Sequence, residues 1–194
     1  MFELSDKQPH AVADRSVRPA FVDDAAIITR IQVAAMIESL ESGIDEPLSE
    51  EVRAGLDTEA MTQNWTSTIT QPPKPGYRVL SALDGGTVVG FAATVPAPPI
   101  ADHEWLSQPG TEIIALEAER QAIGEGHRSR LLAACTDLAI SEGAQTVSIW
   151  LIAGDDEHIR FYQEAGLRPA GLHRKLAVGP HSISQHLWWA HLGE

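Results

Sequence analysis

The sequence predicts a mixed α/β fold, in which a mixed β-sheet carries helices on both faces. Strand-like and helix-like segments alternate in the second half of the chain, from about residue 111 onward, which is typical of α/β folds. In the middle of the chain, two apolar strands flank the tight-turn residues 84–86, and this arrangement favours antiparallel pairing. The order of predicted elements is β-α-α-β-β-β-α-β-α-β-β.

These elements follow from hydrophobic periodicity and from turn and capping residues. Asp23 and Asp24 are candidates to cap the first helix, and Trp65 in the second is expected to be a packing residue. The predicted helices lie at 24–43, 49–69, 124–143 and 154–166, and the predicted strands at 16–21, 77–83, 87–95, 111–119, 144–153, 168–178 and 182–192.

Length and composition are those of an ordinary globular protein. The 194 residues suggest one domain, and 43% apolar with 21% charged residues is typical of a packed chain. Residues 1–15 are polar, so we expect a loose leader followed by a single domain over 16–194. The sequence shows neither a signal peptide nor a membrane-spanning stretch, so we expect a cytoplasmic protein.

The net charge of −13 limits the possible partners. Contacts to phosphate backbones need Lys and Arg, so nucleic-acid binding is not expected. The charge is compatible with a cationic substrate such as an amine, although acidity also simply aids solubility. The eight histidines fit no standard zinc pattern, and Cys135 is the single cysteine, so we expect no metal site and a buried structural thiol.

The turn that opens the 124–143 helix is the most informative segment. Gly124 and Gly126 allow the backbone to approach a ligand closely, and the free N–H groups of a helix start bind phosphate oxygens. His127, Arg128 and Arg130 follow at once, although basic residues are disfavoured at a helix N-terminus. Their presence in an acidic chain indicates a bound anion. The turn contains neither a dinucleotide fingerprint nor a P-loop lysine.

This strand–turn–helix unit resembles motif A of the GNAT superfamily of N-acetyltransferases. In one register, residues 123–128 occupy the motif, with Ile123 in place of the usual Gln or Arg and Arg128 in place of the second Gly or Ala. In the other, the motif begins at Gln121 and ends at Gly126, which leaves two extra residues before the helical leucines. We favour the first register because it fits the helix face better.

Other segments resemble the same family in the same order. Residues 154–171 are similar to motif B, a short helix with an Arg-Phe-Tyr sequence followed by Gly-Leu-x-Pro. Residues 17–28 resemble the first strand and helix, and 88–93 the third strand, so the resemblance covers about residues 16–192. It implies a mostly antiparallel central sheet of six to seven strands and, in many members, a homodimer.

The resemblance also implies a cofactor site. Acetyl-CoA, as acyl donor, would lie between the splayed strands 111–119 and 144–153. Its pantetheine arm would pair with backbone near Leu116 and Ala118, and Asp155 would stand where relatives often have an Asn that contacts the cofactor. Asp155 is equally a structural cap. The diphosphate would rest on the residues of the turn, Gly124, Glu125, Gly126, His127, Arg128 and Ser129.

Two residues are candidates for catalysis of transfer to an amine of a small molecule or peptide. Tyr162 matches the tyrosine that often serves as general acid in this family, since a phenol can protonate a leaving thiolate. Glu117 is the candidate base for the attacking amine, and Glu112 and Glu119 are weaker alternatives. The alternative interpretation is that Tyr162 is a packing residue and that Glu117 is an ordinary solvated or ion-paired carboxylate.

Two questions stay open at this level. The departures at Ile123 and Arg128 are also compatible with a noncatalytic acyl-CoA-binding or regulatory module. The acceptor is not identified, although the 40–75 and 96–110 regions, the latter with His103 and Trp105, are expected to shape its pocket.

Overall fold

Residues 14–193 are described by a computed structural model and form one seven-stranded sheet with five helices. The strands are β1 (Arg15–Pro19), β2 (Arg78–Asp84), β3 (Thr87–Ala97), β4 (Gly110–Ala118), β5 (Thr146–Ile152), β6 (Arg168–Val178) and β7 (His181–His191). The helices are α1 (Ala25–Ile44), α2 (Glu50–Ala54), α3 (Thr58–Thr70), α4 (His127–Ser141) and α5 (Asp156–Glu164). Of these five helices, none has the length and apolar content needed to span a bilayer.

The strand order is β1-β2-β3-β4-β5-β7-β6, and every neighbouring pair is antiparallel except β4 and β5, which run parallel. The predicted mixed α/β fold with a mostly antiparallel sheet of six to seven strands is therefore confirmed. All seven strands, which lie between residues 15 and 191, belong to a single sheet. The predicted leader, residues 1–15, lies outside the described residues except for its last two, and Arg15 begins β1.

Alternate side chains of the central strands face two helical layers, as the period of two of a β-strand requires. Leu80 packs in the cluster that contains Leu131 of α4, whereas its neighbour Val79 packs with Ile28 of α1 and Trp65 of α3. Helices thus cover both faces, as predicted. Trp65 is buried, and its ring meets Phe91 edge to face with centroids 5.5 Å apart.

The prediction of one helix over 49–69 was wrong, because the segment folds as the two helices α2 and α3. Ser49 caps α2 by accepting a hydrogen bond from the N–H of Val52, and α2 ends before Gly55. Asp57 then caps α3 by accepting from the N–H of Ala60 at 2.9 Å. A glycine followed two residues later by a capping aspartate separates the helices more strongly than the apolar spacing joins them.

The parallel pair β4–β5 is paired over only part of its length. Residues 110–113 pair with 146–149, and beyond them the two strands diverge. On the other side of β4, the register with β3 shifts so that Ile114 is an extra residue, a β-bulge that bends the strand. The divergence leaves the edge of β4 that faces β5 without a strand partner over residues 114–118 and opens a cleft in the sheet.

Candidate active site

Two cavities adjoin this cleft and share Ala35, Glu117 and His158. The first, of about 210 Å³, lies among α1, the end of β4, the turn before α4 and the first turns of α4 and α5. The second, of about 520 Å³, lies among α1, α2, β4, β5 and the β6–β7 hairpin. Leu116 and Ala118, which were predicted to contact the cofactor, are buried residues that pair with β3 but lie where the other edge of β4 has no strand partner.

The turn before α4 exposes backbone amides because no side chain caps the helix. Gly124 and Gly126 have φ of +86° and +80°, a left-handed conformation that side chains disfavour. The first backbone hydrogen bond of the helix runs from the N–H of Arg130 to the carbonyl of Gly126, so the amides of residues 127–129 precede the helical ladder. A Cβ at Gly124 would meet no atom within 4 Å, so this part of the turn is open.

Two of the predicted cofactor residues use their side chains to hold the turn. Glu125 pairs with Arg15 at 2.5 Å, and its carbonyl also accepts from Arg15 and Arg130. His127 is 1% exposed, and its Nε2 lies 3.4 Å from a carboxylate oxygen of Asp84. The side chain of His127 therefore faces the protein interior.

Arg128 is held at the edge of the first cavity. Its Nη2 lies 2.8 Å from Glu157 of α5, and its guanidinium carbon lies 4.6 Å from the centroid of the Phe161 ring. Ion pairing and cation–π contact together fix this side chain beside α5. Ser129 is exposed in the first turn of α4, and Ile123 lines the first cavity with 36% of its surface exposed.

Glu117, His158 and Asp155 form a charged network between β4 and α5. The Nε2 of His158 lies 3.0 Å from Oε2 of Glu117, within hydrogen-bond reach. Its Nδ1 lies 2.8 Å from Oδ2 of Asp155, where the alignment makes the contact an ion pair rather than a hydrogen bond. Asp155 also accepts hydrogen bonds from the N–H of His158 and from the hydroxyl of Ser39 in α1. The network therefore connects the cleft to both flanking helices.

The charges in this network reinforce one another. Burial alone would lower the pKa of His158, but Asp155 and Glu117 outweigh that effect and raise it to about 10. Burial likewise favours neutral Asp155, yet its hydrogen bonds and the charge of His158 hold its pKa below the usual range. At neutral pH, a protonated imidazole thus lies between two carboxylates.

Sequence reasoning missed His158, although it proposed both of its partners. The signal that was available is its position three residues after Asp155, where a capping aspartate meets the first helical turn. The partner on β4, Glu117, lies 41 residues earlier in the chain, and no sequence pattern connects the two.

Tyr162 lies entirely within the core, and none of the described residues accepts or donates a hydrogen bond at its hydroxyl. Its ring packs against Phe161 with centroids 4.9 Å apart. Burial, and then the charge of Glu117, raise the pKa of Tyr162 well above 10, while Arg128 opposes the change. The hydroxyl is thus a protonated, unpaired donor under the electrostatic influence of two residues that line the first cavity.

The structure also places the two alternative carboxylates, Glu112 and Glu119, and the loop at 96–110. Glu112 has a pKa raised by burial, and Glu119 is paired with Arg30 of α1. The loop at 96–110 does not line the second cavity, because Trp105 and His103 pack against Trp189 of β7. In the part of the chain that the structure describes, no group of three His, Cys, Asp or Glu residues is arranged to hold a metal ion.

The fold of this chain is similar to those of several solved acetyltransferase structures. The GCN5-related N-acetyltransferase from Kribbella flavida is 20% identical, with a TM-score of 0.65 over 92% of this chain and 98% of that one. The N-acetyltransferase from Staphylococcus aureus Mu50 is 17% identical, with a TM-score of 0.64 over 93% and 100% of the two chains. The yncA protein from Salmonella typhimurium, solved with its cofactor acetyl-CoA, is 16% identical, with a TM-score of 0.63 over 94% and 96%.

The sequence itself identifies the family. A model described as the acetyltransferase (GNAT) family matches residues 39–167, which is more than half of the chain. The chain belongs to the GNAT acetyltransferase family, and the resemblance seen in its motifs is confirmed. No curated protein sequence matches this chain significantly.

Proposed function

We propose that this protein is an acyl-CoA-dependent N-acetyltransferase that moves an acetyl group from acetyl-CoA to a primary amine by direct attack. One observation carries the proposal: a cleft between two diverging strands has free helix amides at one end and the Glu117–His158–Asp155 network in its wall. The family supports acyl transfer, and the network fixes the carboxylate of Glu117, the candidate proton acceptor, in the wall of the cleft.

The residues present fit acetyl-CoA as the donor. A diphosphate needs N–H donors and space, and the amides that precede the helical ladder of α4, with the open face of Gly124, provide both. The edge of β4 at residues 114–118 offers unpaired backbone groups to an extended arm such as pantetheine. Arg128 adds a guanidinium that can bind phosphate oxygens, in exchange for part of its pairing with Glu157.

In this proposal, each residue of the cleft has one task. The bound thioester supplies an activated acetyl group. Glu117 accepts the proton that the amine must lose before its nitrogen can attack, and His158 and Asp155 hold the Glu117 carboxylate in place. Tyr162 is the proposed donor of a proton to the leaving thiolate, and its hydroxyl lies in the core under the electrostatic influence of Glu117 and Arg128.

Direct attack is favoured over a cysteine-bound intermediate by the state of the single cysteine. Cys135 lies in the core on α4, and burial raises its pKa to about 12. The reactive form of cysteine is the thiolate, which is not available in such a site at neutral pH. Cys135 is therefore unsuited to carry an acetyl group between the two substrates.

The alternative is an acyl-CoA-binding module without catalysis. The observation that favours it is Arg128, which stands where the family usually has a small residue and lines the first cavity. A bulky side chain at this position can also restrict access to the amides behind it.

Calorimetry with acetyl-CoA and a thiol-release assay with a set of primary amines together test the proposal. Binding with release of CoA supports transfer, whereas binding without release for any amine favours the module. The predicted homodimer and cytoplasmic location stay predictions, and light scattering of the purified protein measures the first of them.

A further inference from the structure

The second cavity is an apolar groove with one charged end. Its walls include Met36, Val52, Leu56, Ile114, Trp150 and Leu176, from α1, the α2 region and three strands of the sheet. Ile114 is 54% exposed and Leu176 is 37% exposed, so two large apolar side chains meet water there. A groove of about 520 Å³ lies in the size range of small-molecule sites, about 300–1,000 Å³, and exposed apolar walls of this kind favour an apolar ligand.

All charged residues that line the groove lie at the end it shares with the first cavity. They are Glu117, Asp155 and His158, and the lining, taken over the described residues, includes neither Lys nor Arg. With the imidazole protonated, two carboxylates and one cation give this end a net negative charge. A cationic ammonium group is therefore attracted to the end of the groove where Glu117 lies.

Arg174, a cation that contacts two groove residues, is already engaged. Arg174 stacks on Trp150, with its guanidinium carbon 4.3 Å from a ring centroid, and its Nε donates to Oε1 of Gln185 at 2.7 Å. Both of its partners line the groove, but Arg174 does not. A carboxylate inside the groove would thus lose water without gaining a cation, and a second ammonium would be buried among apolar side chains.

We propose that the acceptor is a primary amine with an uncharged, apolar body, bound with its nitrogen at Glu117 and its body against Ile114 and Leu176. The proposal rests on the proposed acetyl transfer and adds the chemical class of the acceptor. It distinguishes such amines from free amino acids and from diamines, whose second charged group finds no partner among the groove residues.

A set of amines that includes one pair matched in shape tests the charge requirement separately from size. The rate of CoA release would be measured for 2-phenylethylamine, phenylalaninamide, phenylalanine and 1,5-diaminopentane. We expect kcat/KM for 2-phenylethylamine to exceed those for phenylalanine and the diamine by at least about tenfold, with phenylalaninamide between them. Because the amide differs from phenylalanine only in the charged group, a gap between these two reports charge.

Variants of an exposed groove residue test the location. Leu176→Arg places a cation in the groove, so we expect the ratio of kcat/KM for phenylalanine to that for 2-phenylethylamine to rise at least about fivefold. Leu176→Met keeps the wall apolar and should leave the ratio unchanged. Ile140→Arg adds the same charge at an exposed site on α4 outside the groove and should also leave it unchanged. Thermal unfolding confirms that each variant is folded.

The outcomes separate the two proposals. If phenylalanine or the diamine is acetylated as well as 2-phenylethylamine, or if Leu176→Arg leaves the ratio unchanged, the acceptor class is wrong and acetyl transfer stands. If acetyl-CoA binds but no amine of any class releases CoA, the proposed function fails and the acceptor class fails with it.

Discussion

Helices α4 and α5 both begin at the cleft, and they begin in opposite ways. Helix α4 follows Gly126, which has no side chain to cap it, and its first residues are His127 and Arg128. Helix α5 follows Asp155, whose carboxylate accepts from the N–H of His158, and acidic residues occupy its first turn. The first amides of α4 have no side-chain cap, whereas the carboxylate of Asp155 accepts a hydrogen bond from an amide in the first turn of α5.

The difference shows how one physical feature serves two purposes. Every helix N-terminus carries free N–H groups and a partial positive charge. At α5 the negative charge is supplied by the protein, which fixes a helix and orients an imidazole beside Glu117. At α4 no side chain supplies it, so an external anion can. A start without a cap thus suits binding, and a start with a buried carboxylate suits the positioning of catalytic groups.

The largest expected effect is that of removing the carboxylate of Glu117, which contacts His158 at the start of α5. Glu117→Gln removes the proposed base, so kcat should fall by about 100-fold or more, while acetyl-CoA affinity measured by calorimetry stays within about threefold. Glu112→Gln, on the same strand, is the matched control and should change kcat less than about threefold. Equal losses in the two variants would contradict the assignment of Glu117.

The second prediction concerns a substitution in the turn before α4, whose backbone amides are proposed to bind the diphosphate. Gly126→Val forces a β-branched residue into the left-handed region, where its Cβ would meet the guanidinium of Arg130 at 3.0 Å. We expect acetyl-CoA affinity to fall at least about tenfold. Gly143→Val is the control, because Gly143 has a similar φ of +84° at the other end of α4, with open space around its Cβ position. It should lose stability but keep its affinity, whereas preserved affinity in Gly126→Val would show that this turn does not bind the donor.

Tyr162 provides a test that separates chemistry from packing. Tyr162→Phe removes a buried hydroxyl that has no partner among the described residues, so the free energy of unfolding should stay the same or rise slightly. If the hydroxyl is the general acid, turnover should fall by about tenfold with unchanged acetyl-CoA affinity. Turnover equal to that of the wild type would leave Tyr162 with a packing role only.

The smallest expected effect concerns the charge at the start of α5. Asp155→Asn keeps a capping side chain but removes a charge that raises the pKa of His158, so that pKa falls. A histidine whose folded pKa exceeds its unfolded value, about 6.5, stabilises the protein most below pH ~6.5 and loses this contribution as pH rises to about 10.

The difference in unfolding free energy between wild type and Asp155→Asn should therefore be largest near pH 6. It should shrink towards pH 10, by at most about 1.4 kcal/mol per pH unit. Urea unfolding at several pH values measures it. A difference that does not change between pH 6 and pH 10 would mean that His158 does not depend on the charge of Asp155.

The sequence was informative where local chemistry decides structure. Alternating segments predicted the sheet and its helices, and Gly124 and Gly126 predicted an open turn because glycine tolerates the left-handed conformation found there. Hydrophobic periodicity predicted one helix in place of α2 and α3, because a capping residue such as Asp57 does not interrupt the apolar spacing.

Features that depend on distant parts of the chain could not be predicted. His158 meets Glu117 because α5, which follows β5, begins beside the end of β4, and the register of those two strands is a property of the whole sheet. The loop with Trp105 was expected at the acceptor pocket. Its aromatic side chain instead covers Trp189, an apolar ring on the sheet, and the sequence does not show which ring a loop will reach.

The burial of the Cys135 thiol affects how the release of coenzyme A can be measured with this protein. Reagents that change colour on reaction with thiols should respond only to liberated coenzyme A while the protein is folded, because Cys135 is 3% exposed and burial raises its pKa to about 12. The same sulfur becomes reactive when α4 leaves the core, so the labelling rate without substrates reports how often this part of the molecule opens.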